Sequence, residues 1–281
     1  EPLLEILHET QDHRLCLRLG TPPVCYGANV LIYDYRAAGN EATGLASVQT
    51  AQGNTPTTIN LSSNYASYTP TGLSSYGQVW DLGANKPIST EQRAAYTSYL
   101  NSGGTLFLMG ENAGFGATRN AAIVELIASL GGGTLGAITA TGTTATTVNE
   151  AFRINNQTNS VKFPASGQFP SAGTGTCITA DCAAVAWGVG TLANAPTGTV
   201  ISVLDVNFLQ TNYLDNPNYP GISDFVKNLI AYLAQQGQIA SGGGGSGLRV
   251  LVASSNTKNN PAFGAAAVID ANSNLLAIFT N

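Results

Sequence analysis

Charge is scarce in this chain. Lys and Arg number 11 and Asp and Glu 16, together 10% of 281 residues, and the net charge is −5. No basic cluster occurs. Binding a phosphate backbone by counterion release requires clustered Lys and Arg, so nucleic acid is not the expected partner. No apolar run approaches the roughly 18 residues that a membrane-spanning helix requires. Histidine is nearly missing: the only two are His8 and His13. The chain opens at Glu1 without Met or a signal-like segment, the pattern of a processed or trimmed chain.

Cysteine is sparse but paired. Cys16 and Cys25 enclose "LRLGTPPV", and Cys177 and Cys182 enclose "ITAD". Zinc is one reading of such pairs. The spacings are not C-x-x-C, however, and no His lies near the second pair, so two disulfides closing short loops are expected. Disulfides with low charge point to an extracellular or cell-surface location. Asn-x-Ser/Thr sequons occur at Asn60 and Asn156.

The chain divides into parts by composition. Residues 1–26 read as an N-terminal β appendage, with Leu15, Leu17 and Leu19 alternating in "RLCLRLG"; a helix over Pro2 to His13 is the competing reading. Residues 27–240 alternate strand and helix signals. "NVLIYDY", "TTINLSS", "GQVWDLG", "TLFLMG" and "GTVISVLDVNFL" read as strands. "ISTEQRAAYTSYLNSGG" reads as a helix capped by Ser89, with Gln92 completing a capping box and Gly103 closing it. "TRNAAIVELIASLGG" reads as a second helix stopping at Gly131, and "SDFVKNLIAYLAQQG" as a last one running from a Ser223 cap to Gly237. Residues 134–198, rich in Thr, Gly and Ala, read as a β-rich insertion. Residues 241–247, "SGGGGSG", are a flexible linker, either native to so Gly-rich a chain or introduced as a join. Residues 248–281 read as three strands, too few to build a core alone. The expected fold class is α/β: a mostly parallel sheet with helices on both faces, flavodoxin-like or amidotransferase-like, with strand-rich terminal segments.

The stretch "GGTLFLMGENAGFG" ends an apolar strand in a Gly-x-Asn-x-Gly turn and runs toward a helix. With "NVLIYDY", with "YGQVWDLGANKPISTEQRAAYTSYLNSGGTLFLMGENAG" and with "GTVISVLDVNFLQ" followed by "DFVKNLIAYLA", it resembles the class I glutamine amidotransferase-like fold, and more closely the ThuA-like branch. The resemblance covers most of 27–240. It implies a nucleophile elbow over Gly110, Glu111, Asn112, Ala113 and Gly114, with Asn112 where the family's Cys stands. An amide is not a nucleophile that a base can activate in the usual way. The family's His would fall near "DVNFL", where none occurs. The resemblance therefore implies an elbow without its catalytic triad, and no catalytic residue is expected.

Other chemistry rests on Asp34, Asp81, Glu111 and Asp205, which fall near predicted strand ends, where open α/β sheets bind ligands. A pair of them could act on a glycosidic bond; the competing reading is that they hold loop amides. "LDNPN" offers oxygen ligands for calcium without EF-hand spacing, and the Gly-rich segments match neither a P-loop nor G-x-G-x-x-G. Tyr65, Tyr68, Tyr76, Tyr96, Tyr99, Tyr213 and Tyr219 could stack on sugars or pack in the core. No metal or cofactor is implied. Two functions are expected in competition. The first is a non-catalytic structural subunit of a surface layer or filament, its partners being other copies of itself joined through terminal strands. The second is a secreted carbohydrate-binding or carbohydrate-processing domain in contact with glycans.

Overall fold

The uniformly apolar strand runs lie in the middle of a parallel sheet. The computed structural model describes residues 27–36, 39–143, 145–154 and 158–240, and the backbone of three strands between 249 and 280. In chain order the elements are β1 (Asn29–Asp34), α1 (Glu41–Ala51), β2 (Thr55–Asn60), β3 (Gln78–Leu82), α2 (Thr90–Asn101), β4 (Thr105–Gly110) and α3 (Ala113–Ser129). Six short strands follow: β5 (Thr139–Gly142), β6 (Ala145–Thr147), β7 (Ser160–Lys162), β8 (Ser166–Gln168), β9 (Thr176–Cys177) and β10 (Ala184–Trp187). Then come β11 (Thr199–Leu204), α4 (Thr211–Leu214), α5 (Ile222–Ala240), β12 (Arg249–Ser254), β13 (Gly264–Ile269) and β14 (Leu275–Thr280).

The main sheet has the order β2-β1-β3-β4-β11-β10-β9. The first five of these strands are parallel, and β10 and β9 extend them antiparallel. Successive side chains on a strand point to opposite faces. Val30, Ile32, Trp80, Phe107 and Ile201 therefore pack on one face, beneath α1 and α5. Leu31, Tyr33, Val79, Leu106 and Val200 pack on the other, beneath α2 and α3. Both faces being covered, these strands carry apolar residues at nearly every position. Trp80 stacks on Phe107 with ring centroids 4.3 Å apart.

Helix ends follow local signals in part. Ser89 and Gln92 form the expected capping box on α2, and Gly103, at φ 88°, lets the chain turn off that helix. Gly131, at φ 79°, does the same after α3. The last helix departs from expectation. It runs from Ile222 to Ala240, so Ser223 lies in its first turn rather than at its cap, and Gly237 lies inside it. Gly221 (φ 84°) turns the chain into the helix, where the Phe225 amide bonds its carbonyl. A Cβ on Gly237 would meet only the Thr105 methyl, at an ordinary contact distance of 3.4 Å, so this glycine sits within the helix without ending it.

Helix α1 was not expected from its sequence, "EATGLASVQTA". Gly and Thr weaken its propensity. Gly44 is required by the tertiary contact: a Cβ there would stand 2.0 Å from the Leu209 carbonyl oxygen. The insertion at 134–198 is strand-rich, forming a β5·β8 pair and a β6·β7 pair and supplying β9 and β10 to the main sheet. A disulfide joins Cys177 to Cys182, with 4.9 Å between Cα atoms. Strands β12, β13 and β14 pair with one another as an antiparallel three-stranded sheet. The N-terminal appendage, Cys16, Cys25, both histidines and the linker at 241–247 lie outside the described residues. Among the described residues no helix is long and apolar enough to cross a membrane.

Candidate functional site

Strand β4 ends at Gly110, and Glu111 and Asn112 form the turn into α3 at the carboxyl edge of the parallel sheet. A Cβ on Gly110 would stand 2.6 Å from Leu204 Cδ2, so the bare glycine leaves that buried side chain its place. A nucleophile elbow holds its reactive residue in a strained turn. Asn112 is not strained: its φ is −62° and its ψ 156°, ordinary extended backbone. Among the described non-glycine residues only Ala84 and Cys182 have positive φ. Asn112 is instead the N-cap of α3, its Oδ1 accepting from the Gly114 amide at 2.9 Å. Ala113 and Gly114 are the first two residues of that helix.

The rest of the Asn112 side chain faces the insertion. Its Nδ2 donates to the Ala165 carbonyl at 3.2 Å. The Ala165 amide in turn donates to Asp205 Oδ2 at 2.7 Å. Strand β8 follows immediately and lies against the turn. A Cβ on Gly167 would approach the Glu111 carbonyl oxygen to 2.9 Å and Asn112 Cα to 3.0 Å. The ligand crevice expected at this edge of an open α/β sheet is thus occupied here by the chain's own backbone.

The four carboxylates do not converge. Glu111 and Asp205 come together, Glu111 Oε2 accepting from the Val206 amide at 3.1 Å. Glu111 Oε1 accepts from the Asn112 amide at 2.8 Å. Asp205 Oδ1 accepts from the amides of Asn207 and Phe208 at 2.7 and 3.1 Å. Every oxygen of the pair is therefore committed to a loop amide. Burial pushes the Glu111 carboxyl up to about 7; the Asn112 amide opposes this and the nearby Asp205 adds to it. Burial likewise pushes Asp205 up to about 6, against the three amides it accepts from. Raised carboxyls of this kind occur in active sites, but structural networks also produce them. Here exposure is 4% for Glu111 and 0% for Asp205, leaving no path for a substrate to either oxygen pair.

Asp34 and Asp81 lie apart from that pair. Asp34, at the end of β1, accepts from the Arg36 amide at 2.9 Å, and burial raises its carboxyl. Asp81 is fully buried and pairs with Arg119 across 3.0 Å. It also accepts from Tyr96 Oη at 2.7 Å. Tyr96 and Tyr99 are core residues, their hydroxyls raised by burial. Two residues of this region carry no motif in the sequence. Arg119 binds Met109's carbonyl as well as Asp81. Asn120 clamps the Glu111 peptide, accepting from its amide at 3.0 Å and donating to its carbonyl at 2.6 Å. The only hint of either was a polar "RN" pair in an otherwise apolar helix stripe. Among the described residues no three His, Cys, Asp or Glu side chains are grouped to hold a metal ion.

With this geometry in view, the comparisons with known proteins bear on the fold. No protein-family model and no curated protein matches the chain. A solved structure described as "mmIFT52 N-terminal domain" aligns with a TM-score of 0.53 and 11% identity, over 73% of this chain and 96% of that one. This likeness shows the fold alone. A ThuA-like protein from Bacteroides uniformis aligns with a TM-score of 0.44 and 16% identity, over 73% of this chain and 90% of that one. Another from Parabacteroides merdae aligns with a TM-score of 0.48 and 7% identity, over 77% and 91%. ThuA-like proteins are thus among the structural neighbours, and at those scores they carry no argument.

Proposed function

We propose that this chain is a non-catalytic structural subunit of the cell exterior that associates with other copies of itself. One observation carries the first half of the reading. Glu111, Asn112 and Asp205 all direct their polar atoms to the chain's own amides and carbonyls, beneath β8. A hydrolase would instead present such groups to a water-filled cleft with a base in reach. The Cys177–Cys182 disulfide suits an oxidising location.

Self-association takes a different form from donation of a single strand. Strands β12, β13 and β14 are already paired within the chain, so no lone strand among them is left to donate. Their sheet has β12 and β14 at its two edges, and edge strands offer rows of backbone donors and acceptors to a neighbour. Contact of one copy's β12 with the next copy's β14 would be heterologous and would extend into a polymer. The test is light scattering and electron microscopy of the intact chain and of a chain ending at residue 247. The intact chain is expected to assemble and the shortened one to remain monomeric. A strictly monomeric intact chain at high concentration removes the reading. So does an esterase, amidase or glycosidase activity that Glu111→Gln abolishes.

A further inference from the structure

One motif plays no part in the structural reading: Asn60-Leu61-Ser62, an Asn-x-Ser sequence whose middle residue is not proline. Motifs this short recur by chance, so the fold around the residues decides. Asn60 ends β2, the outermost strand on one side of the main sheet, and it is exposed. Leu61 is fully buried, and its amide bonds the Asp34 carbonyl at 2.7 Å, which anchors the chain as it leaves the strand. Ser62 then folds back on Asn60. Its hydroxyl donates to Asn60 Oδ1 at 2.7 Å, and its amide donates to the same oxygen at 3.0 Å. Both bonds fall on the oxygen. Among the described residues Asn60 Nδ2 has no partner, so the nitrogen that would carry a sugar is the atom left uncommitted.

The strand supplies a second, independent reason. Strand β2 is paired on one side only, with β1. In a parallel ladder alternate residues bond the neighbour. The Thr55 and Leu61 amides donate to the Ala28 and Asp34 carbonyls, so Pro56, Thr58 and Asn60 carry their main-chain groups on the free edge. Pro56 has no N–H to offer another strand, which guards the start of that edge. Its far end has no such guard. Charged side chains commonly protect an edge strand, yet residues 55–77 contain none. The opposite edge of the sheet needs less, because β9 is only Thr176–Cys177. A bulky hydrophilic group on Asn60 would stand at the unguarded end of β2 and keep other strands off it.

We propose that Asn60 is an N-glycosylation site, its Nδ2 bonded to the anomeric carbon of a saccharide that covers the free end of β2. The donor is a lipid-linked saccharide diphosphate, and the catalyst a transferase outside this chain. Asn60 Nδ2 forms the bond to C1 of the sugar, and the bond from C1 to the diphosphate oxygen breaks. The lipid diphosphate leaves with the electron pair, and the amide nitrogen gives up one proton. The inference rests on the exterior location proposed above and not on self-association. The test is electron-transfer mass spectrometry of peptides from the full chain, purified from the cells that produce it. Asn60→Gln, Ser62→Ala and Ser62→Thr are made in the same cells. A saccharide mass on Asn60 is expected in the unaltered chain and in Ser62→Thr. Asn60→Gln and Ser62→Ala are expected to lose it entirely, with melting transitions showing that both still fold. A saccharide on Asn60 that survives in Ser62→Ala overturns the proposal, as does one found only on Asn156 or only on Ser and Thr hydroxyls. A bare Asn60 in a chain whose Cys177 and Cys182 are joined overturns this proposal alone. A bare Asn60 with both cysteines reduced overturns the exterior location with it.

Discussion

Asn112 and Ala165, on separate segments of the chain, are joined by a hydrogen bond from Asn112 Nδ2 to the Ala165 carbonyl at 3.2 Å. That bond, with the Ala165 amide on Asp205, fastens the insertion across the turn where a nucleophile would stand. Placing a nucleophile there should consequently fail to create an active site. Asn112→Cys is expected to give no hydrolysis of activated esters and slow thiol labelling in the native state, since the site is only 8% exposed. Asn112→Ala loses the α3 cap and should cost about 1 kcal/mol in chemical denaturation. Rapid labelling of the native Cys variant would show the crevice to be open.

The buried acid pair predicts a pH dependence of stability. Glu111 sits at about 7 and Asp205 at about 6 in the folded chain, against ordinary values of 4.5 and 3.8. The folded chain keeps these protons where the unfolded chain has released them. This contribution to stability is present in full below the unfolded values and is lost as pH rises through 6 and 7. Each group supplies on the order of 3 kcal/mol across that range. Thermal melts between pH 5 and 8 should therefore show higher midpoints at the acid end, and Glu111→Gln should flatten the profile. A midpoint that rises with pH over this window would contradict the assignment.

The Asp81–Arg119 pair is fully buried at both ends. Removing one member strands the other charge in the core. Arg119→Met alone should cost about 3–5 kcal/mol in urea denaturation. Changing both in an Asp81→Leu, Arg119→Met double variant should cost less than the single change, because no charge is left unpaired. A double variant less stable than Arg119→Met would mean that the pair itself is net stabilising.

The Cys177–Cys182 disulfide closes a short loop, with a sequence separation of 5. Loop-closure entropy for so short a ring is worth about 2 kcal/mol. A Cys177→Ala, Cys182→Ala variant should lose roughly that in denaturation under non-reducing conditions. The wild-type chain with added reductant should move the same way. Peptide mapping without reductant should recover the two cysteines in one linked fragment.

Much of the scaffold was legible in the sequence because its signals are local. Apolar runs such as "TLFLMG" mark strands covered on both faces, and Ser89 with Gln92 marks a helix start through bonds three residues apart. The turn at Asn112 was placed by the same means. What only the tertiary structure decided depends on contacts remote in sequence. Helix α1 is held despite poor propensity because Gly44 lets it lie against Leu209. Arg119 finds Asp81 across 38 residues, Asp205 finds Ala165 across 40, and Asn112 finds Ala165 across 53. No periodicity encodes such pairings. A carboxylate at a strand end reads the same whether it faces a cleft or a neighbouring amide, and it was the approach of β8, made possible by Gly167, that settled which of the two Glu111 and Asp205 meet.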